Sequence, residues 1–243
     1  MKAGATAVYY KWLAPGGRPR WGVGTWHLPD GGRPGKWMPE ITRLVPCQQG
    51  YHVAADNQLV DWLGPELFEV ECRGEHIDHG DKHVFGQARL VRRLNGWNDR
   101  TARLFAADCA ERVLPVFEFC CPGDVRPHRA IDVARAFADG QATVEDLAAA
   151  RDAAKAAAER AAKDAPWDAA WDAAWDAGWA AVRAATGGAA WAAARAAAMD
   201  AALAATRAAA GEAKVWTAAW TAAWDAERKW QTRRLFQLIG ADQ

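Results

Sequence analysis

The chain has 243 residues, and its 30 basic and 30 acidic side chains cancel to a formal net charge of zero. This length accommodates two ordinary domains, and the balanced charge argues against a nucleic-acid-binding protein, which is usually basic. Five scattered cysteines indicate reduced thiols, and the sequence shows neither a secretion signal nor an apolar stretch long enough to cross a membrane. We therefore expect a cytoplasmic protein with no nucleic-acid or membrane partner.

Residues 1–98 contain short runs of strand-forming residues separated by Gly- and Pro-rich segments. Leu67–Cys72 alternates apolar and charged side chains, which is the period of a half-buried strand, and residues 7–13 and 82–94 also favour strands. Residues 57–64 suit a short helix that a glycine ends. These patterns predict a small mixed α/β domain.

Three histidines, His76, His79 and His83, lie at the junction of two predicted strands. Neutral imidazoles are good zinc ligands, but no cysteine pair and no HExxH helix accompanies them. We therefore predict a polar hairpin loop at this place, with no bound metal.

Alanine dominates much of residues 99–243, and the capping and apolar patterns there predict an all-α bundle. The whole chain is thus expected to be an α+β protein, with a mixed α/β domain over residues 1–98 and a helical bundle over 99–243. Pro115 is expected to kink or split the first helix, whereas Cys109 continues its apolar face and is predicted to be buried. The predicted helices span residues 99–119, 127–139, 143–163, 166–185, 188–209 and 213–239.

The stretch WDAAWDAAWDAGW repeats tryptophan at the spacing of a helical turn, and a similar stretch recurs 49 residues later. We favour the interpretation that these indoles and the surrounding alanines pack together as a core. Any indole that stays exposed would instead mark a surface for a partner. The tryptophans of each stretch form a ridge along one side of the helix. The aspartates beside the first ridge, Asp168, Asp172 and Asp176, are expected to be exposed to solvent. The candidate binding residues are Trp167, Trp171, Trp175, Trp179, Trp216, Trp220 and Trp224.

The helical half carries motifs at both ends that resemble a family of bacterial immunity proteins. The motifs lie in residues 103–118, 126–137, 140–143 and 230–235, and the resemblance covers residues 99–239. It implies an alanine-rich helical bundle that acts without catalysis by occupying a protein partner, in a bacterial or phage conflict system. A homo-oligomer is compatible with this role. The tryptophan ridges depart from the family pattern, in which alanine or tyrosine is more common.

The N-terminal half resembles a group of phage and bacterial proteins of unassigned function, and more distantly the ADP-ribosyltransferase-like folds. The resemblance rests on residues 47–52, Leu67–Glu71, 81–82 and 88–92. It implies an alternative function, an NAD-using enzyme whose pocket would contain Tyr51, His52, Glu69 and Glu71. We favour ordinary surface carboxylates for the two glutamates and expect no cofactor, because the sequence contains no Gly-rich phosphate loop.

Overall fold

The computed structural model describes residues 8–163, 169–210 and 218–240, and the side chains at 162, 163, 169–171 and 210 fall outside that description. The chain divides into two compact units, Met1–Asn98 and Asp99–Gln243. The described strands all lie in the first unit and the described α-helices all lie in the second. The predicted α+β class is confirmed.

The first unit is built on a curled antiparallel sheet of four strands in the order β1-β3-β4-β2. Its strands are β1 Tyr9–Leu13, β2 Tyr51–Val53, β3 Glu66–Asp78 and β4 His83–Arg93. Tyr10 and Ala54 exchange two backbone hydrogen bonds of 2.8 and 2.9 Å, so the outer edge of β1 meets the chain just beyond β2. The curled sheet encloses a core that includes Leu13, Trp26, Val53, Phe68, Phe85 and Leu90.

Two elements of this unit differ from the prediction. Strand β2 was not predicted, because three residues are too few to show an alternating pattern. The short helix is a 3-10 turn at Asp56–Asp61 and not an α-helix. The side chain of Gln58 accepts a hydrogen bond from the Ala55 N–H and donates one to the Gly80 carbonyl, and these bonds fix so short a turn.

The segment between β1 and β2 covers the part of β4 that β2 does not reach. The N–H groups of Gly35, Met38 and Ile41 each donate to a carbonyl oxygen of β4 at 2.9 Å. A Cβ atom on Gly86 of β4 would lie 2.9 Å from the Ile41 carbonyl oxygen. Glycine at position 86 therefore permits this close backbone approach.

The described part of the second unit forms α-helices α1 to α6. Their bounds lie within two residues of the predicted ones, except that the predicted starts at 166 and 213 lie outside the described residues. Pro115 lies inside α1, which continues to Cys120, so the predicted split is wrong and the kink stays a prediction. The proline ring is exposed, and burial of Phe117 holds the last turn in place. No described helix has the length and apolar character needed to cross a membrane. The bounds are α1 Asp99–Cys120, α2 Arg126–Ala138, α3 Val144–Lys163, α4 Ala169–Ala184, α5 Ala190–Ala210 and α6 Ala218–Ile239.

Alanine supplies much of the contact between the central helices α4 and α5. Their small side chains let the backbones approach closely, and larger residues on α1, α2 and α3 fill the remaining space. Cys109 is fully buried on α1, as predicted. The buried alanines include Ala173, Ala177, Ala180, Ala181, Ala194, Ala197, Ala198 and Ala201, and the larger residues include Phe105, Phe117, Ile131 and Leu147.

Candidate functional site

A polar network joins α1, α2 and α6 on the bundle. The Asp108 carboxylate accepts hydrogen bonds of 2.7 Å from Arg135 of α2 and from Arg234 of α6. Glu111, one turn further along α1, also accepts from Arg135, at 2.6 and 2.9 Å. These hydrogen bonds hold the pKa of Glu111 below its usual value. One carboxylate of α1 therefore connects two other helices.

A second network buries polar side chains of α6 against α1 and α5. Glu227 is only 3% exposed and pairs with Arg112 of α1, with Nε and Oε2 2.6 Å apart. Gln231 is fully buried and donates to Glu227 at 3.2 Å and to the Ala198 carbonyl at 2.9 Å. The C-terminal half of α6 is thus anchored by polar contacts as well as by Leu235.

The N-terminal half of α6 has a different environment. None of the side chains over Ala218–Ala226 is buried, and Trp220 and Trp224 are partly exposed. The guanidinium of Arg228 lies 5.5 Å from the ring of Trp224. This half-helix therefore presents two indoles at the surface of the second unit.

Two tryptophans of α4 are also partly exposed. The rings of Trp175 and Trp179 meet edge to face, with their centroids 5.6 Å apart. The Arg183 guanidinium lies 5.0 Å from the Trp179 ring. The indoles described on α4 and α6 thus border the alanine core and are only partly enclosed. Trp167 and Trp216, and the side chain of Trp171, lie outside the described residues.

One of the three aspartates expected to be exposed to solvent lies instead in the α4–α5 contact. Asp172 is exposed, whereas Asp176 is 7% exposed and lies 2.7 Å from Arg207 of α5. Burial raises the pKa of Asp176 to about 7, although the positive charge of Arg207 opposes the shift. The prediction of a solvated position is therefore wrong for Asp176. Its carboxyl group lies on the face of α4 that contacts α5, where it pairs with Arg207. Asp168 lies outside the described residues.

The first unit contains a cavity of about 770 Å³, and its lining includes Tyr51 and His52. The other two residues of the alternative NAD pocket are engaged elsewhere. Glu69 accepts a 2.6 Å hydrogen bond from Arg92, and Glu71 accepts one of 2.7 Å from Arg89. Neither glutamate is among the residues that line the cavity. The structure therefore brings together only half of this alternative site, and the NAD-using enzyme stays the less favoured alternative.

The histidine group forms part of the β3–β4 hairpin. His76 Nε2 and His83 Nδ1 lie 2.9 Å apart across the two strands, and His79 bonds to Asp81 at 3.1 Å. Among the described residues, no three His, Cys, Asp or Glu side chains are arranged to hold a metal ion.

Comparison with known proteins concerns the helical part of the chain. Residues 93–238, more than half of the chain, match the family model described as Imm-5 like putative immunity protein. The chain belongs to this family. The resemblance of residues 99–239 to immunity proteins is confirmed. No curated protein and no solved structure shows a significant match.

The immunity-protein match contains both polar networks and the six described α-helices except the last residue of α6, and residues 1–92 lie outside it. The motifs around Asp108 and Arg234 supported the resemblance, but they did not predict the contact between these two side chains. The sequence signal for this network was the group of charged residues Asp108, Glu111 and Arg112, whose spacing places them on neighbouring positions of one helix surface. The partners on α2 and α6 lie up to 126 residues away, so local spacing could not identify them.

Proposed function

We propose that this chain is an immunity protein that acts by binding and occupying a protein partner in a bacterial or phage conflict system. The observation that carries the proposal is the family match over residues 93–238. The proposal includes action in the bacterial cytosol, where the partner would otherwise do damage. It requires no catalytic group on the helical bundle.

The N-terminal half of α6 is the surface that we propose for the partner. Its lack of buried side chains over Ala218–Ala226 leaves both Trp220 and Trp224 accessible. Tryptophan is enriched at the centres of protein interfaces because one rigid side chain buries a large area and can donate one hydrogen bond. The buried network around Glu227 and Gln231 holds the other half of the helix rigidly, so this surface is presented in a fixed place.

The test is a growth assay followed by a binding assay. A toxin from the native host, captured there with the purified full chain, is induced in a bacterial host with and without the full chain. We expect the chain to restore growth and the purified toxin to bind it in a titration. The double variant Trp220→Ala, Trp224→Ala is expected to weaken binding at least tenfold, because each central interface tryptophan contributes about 2 kcal/mol or more.

The matched control is Trp191→Ala, which removes a partly exposed tryptophan from the start of α5. It is expected to leave affinity within about threefold of the parent. Failure of the chain to restore growth would contradict the immunity function. Restored growth with equal affinity in the α6 double variant would keep the function and overturn the proposed surface.

A further inference from the structure

The cavity of the first unit is lined by three cationic side chains, and each of them contacts a tryptophan ring. Lys11 Nζ lies 5.5 Å from the ring centre of Trp26, and Lys82 Nζ lies 4.9 Å from that of Trp62. A third pair is formed by the Arg20 guanidinium and Trp21, 4.5 Å apart. All six of these residues line the cavity. The wall thus combines positive charge with flat aromatic surface.

The charge of this wall is not balanced from within the cavity. None of the described residues that line it is an aspartate or a glutamate. Lys82 pairs with Asp81 outside the lining, at 3.1 Å, whereas Lys11 donates to the neutral carbonyl oxygen of His52 at 2.6 Å. Burial lowers the pKa of Lys11 to about 8, since its ammonium group loses hydration. An anion in the cavity would give the Lys11 ammonium group an acidic partner.

Size and access also suit a small ligand. A volume of about 770 Å³ lies within the range of about 300–1,000 Å³ that is typical of small-molecule sites. Trp21 and Val23, which belong to the lining, are 60% and 99% exposed, so the cavity opens to solvent beside them. Trp21 and Trp62 meet edge to face with centroids 5.6 Å apart, so the two rings are not stacked on each other.

We propose that this cavity is a binding site for a small anionic compound that carries a flat aromatic group. Its carboxylate or phosphate is held by Lys11, Arg20 and Lys82, and its ring stacks on the neighbouring indoles. The site lies outside residues 93–238, so it adds a ligand-binding activity to the immunity function and does not depend on it.

The experiment measures binding of two anions and their neutral counterparts to the full chain by calorimetric titration. The phosphate arm compares adenosine 5′-monophosphate with adenosine, and the carboxylate arm compares indole-3-acetate with indole-3-acetamide. We expect at least one anion to bind with a submillimolar Kd and its neutral counterpart to bind at least tenfold more weakly. The arm that binds identifies the source of the anionic group.

Variants of the wall show where the anion binds. Lys11→Met is expected to weaken binding of the active anion at least tenfold, whereas Lys36→Met, an exposed lysine outside the lining, leaves it unchanged. Trp21→Ala is expected to weaken binding at least threefold in a chain that stays folded, because this side chain is 60% exposed. Its matched control is Trp37→Ala, which lies outside the lining.

Three results would overturn the proposal. The first is that neither anion binds at millimolar concentration. The second is that the neutral counterparts bind as tightly as the anions, which would show that the cations take no part. The third is that both wall variants bind the active anion as tightly as their controls, which would place the ligand elsewhere on the chain.

Discussion

At the scale of single residues, two positions on α4 show how little room the alanine contacts leave. Asp176 places a carboxyl group against α5, and Gly178 places a bare backbone against α3. The sequence showed both residues in a tryptophan-rich repeat but did not show which face of the helix each occupies. Only the packing of α4 between its neighbours determines that Asp176 is buried while Asp172 is exposed.

Replacing Asp176 should change how stability depends on pH. Because burial raises the folded-state pKa to about 7, the folded chain binds a proton that the unfolded chain releases above its ordinary pKa near 4. The free energy of unfolding therefore falls as pH rises from about 4 to about 7. Asp176→Asn should remove the part of this decrease in unfolding free energy that comes from Asp176. The variant is therefore expected to be more stable than the parent at pH 8 by about 1–3 kcal/mol.

Denaturant unfolding followed by far-ultraviolet circular dichroism at pH 5 and pH 8 measures this effect. Asp225→Asn is the control, since that side chain is exposed on α6. Asp172, Asp200 and Arg207, whose charges act on Asp176, remain in both variants. An equal pH dependence in the two variants would show that Asp176 does not titrate as expected.

Gly178 should tolerate no branched side chain. A Cβ atom there would lie 2.9 Å from the Ala158 Cβ and 3.4 Å from Phe117. Gly178→Val is therefore expected to cost about 1–3 kcal/mol of unfolding free energy through overpacking. Gly187→Val is the control, because no atom lies within 4 Å of a Cβ at that position. Similar midpoints of chemical unfolding for the two variants would contradict the close α3–α4 contact.

At the scale of elements, α6 is a helix with two unlike halves. Its first nine residues, Ala218–Ala226, carry no buried side chain, and the rest of the helix contributes Glu227, Gln231 and Leu235 to the interior. The tryptophan spacing predicted the helix correctly. It also predicted that the tryptophans anchor the helix in the core, whereas the buried side chains of α6 begin at Glu227. Periodicity identifies a face, whereas burial depends on how far the neighbouring helices extend along it.

The two halves should respond differently to truncation of a large apolar side chain. Leu235→Ala is expected to cost about 2–5 kcal/mol, because this side chain is fully buried. Trp220→Ala removes a partly exposed indole and is expected to cost less than about 1.5 kcal/mol. Equal losses in denaturant unfolding would mean that Trp220 belongs to the core, and the proposed partner surface would lose its basis.

The network that joins three helices should also be measurable. Asp108→Asn leaves Arg135 and Arg234 without their shared carboxylate, and both arginines are partly exposed and can regain water. We expect a loss of about 1–3 kcal/mol, less than for a fully buried ion pair. Asp132→Asn, at an exposed position on α2, is the control and should change stability by less than about 0.5 kcal/mol. No difference between the variants would show that the network is not stabilising.

At the scale of the whole molecule, the chain consists of two units that the sequence distinguishes by composition. The order of the described helices and most of their bounds could be predicted, since capping signals and alanine-rich runs are local. The cavity could not be predicted, because Trp21, Trp62 and Lys82 come from separate segments and share no spacing. The second half of β3 was also missed, since Arg73–Asp78 is mostly exposed and charged and pairs with β4 through its backbone.

Each unit is expected to fold without the other. Residues 99–243 expressed alone should give a helical circular dichroism spectrum and a cooperative thermal transition, because this unit has its own buried core. Residues 1–98 should do the same with a strand-rich spectrum. A fragment that lacks a cooperative transition while the full chain shows one would demonstrate that the units depend on each other.

The contact between Tyr10 and Ala54 limits how the first unit can recruit other proteins. Many sheet domains capture an extended peptide by adding it as a further strand, which needs a row of open backbone groups. In this sheet the end of β2 meets β1, and residues 35–41 occupy the side of β4 beyond β2. At these two edges a peptide would first have to displace these hydrogen bonds. There, a new partner is therefore recruited more easily through side chains than through backbone pairing.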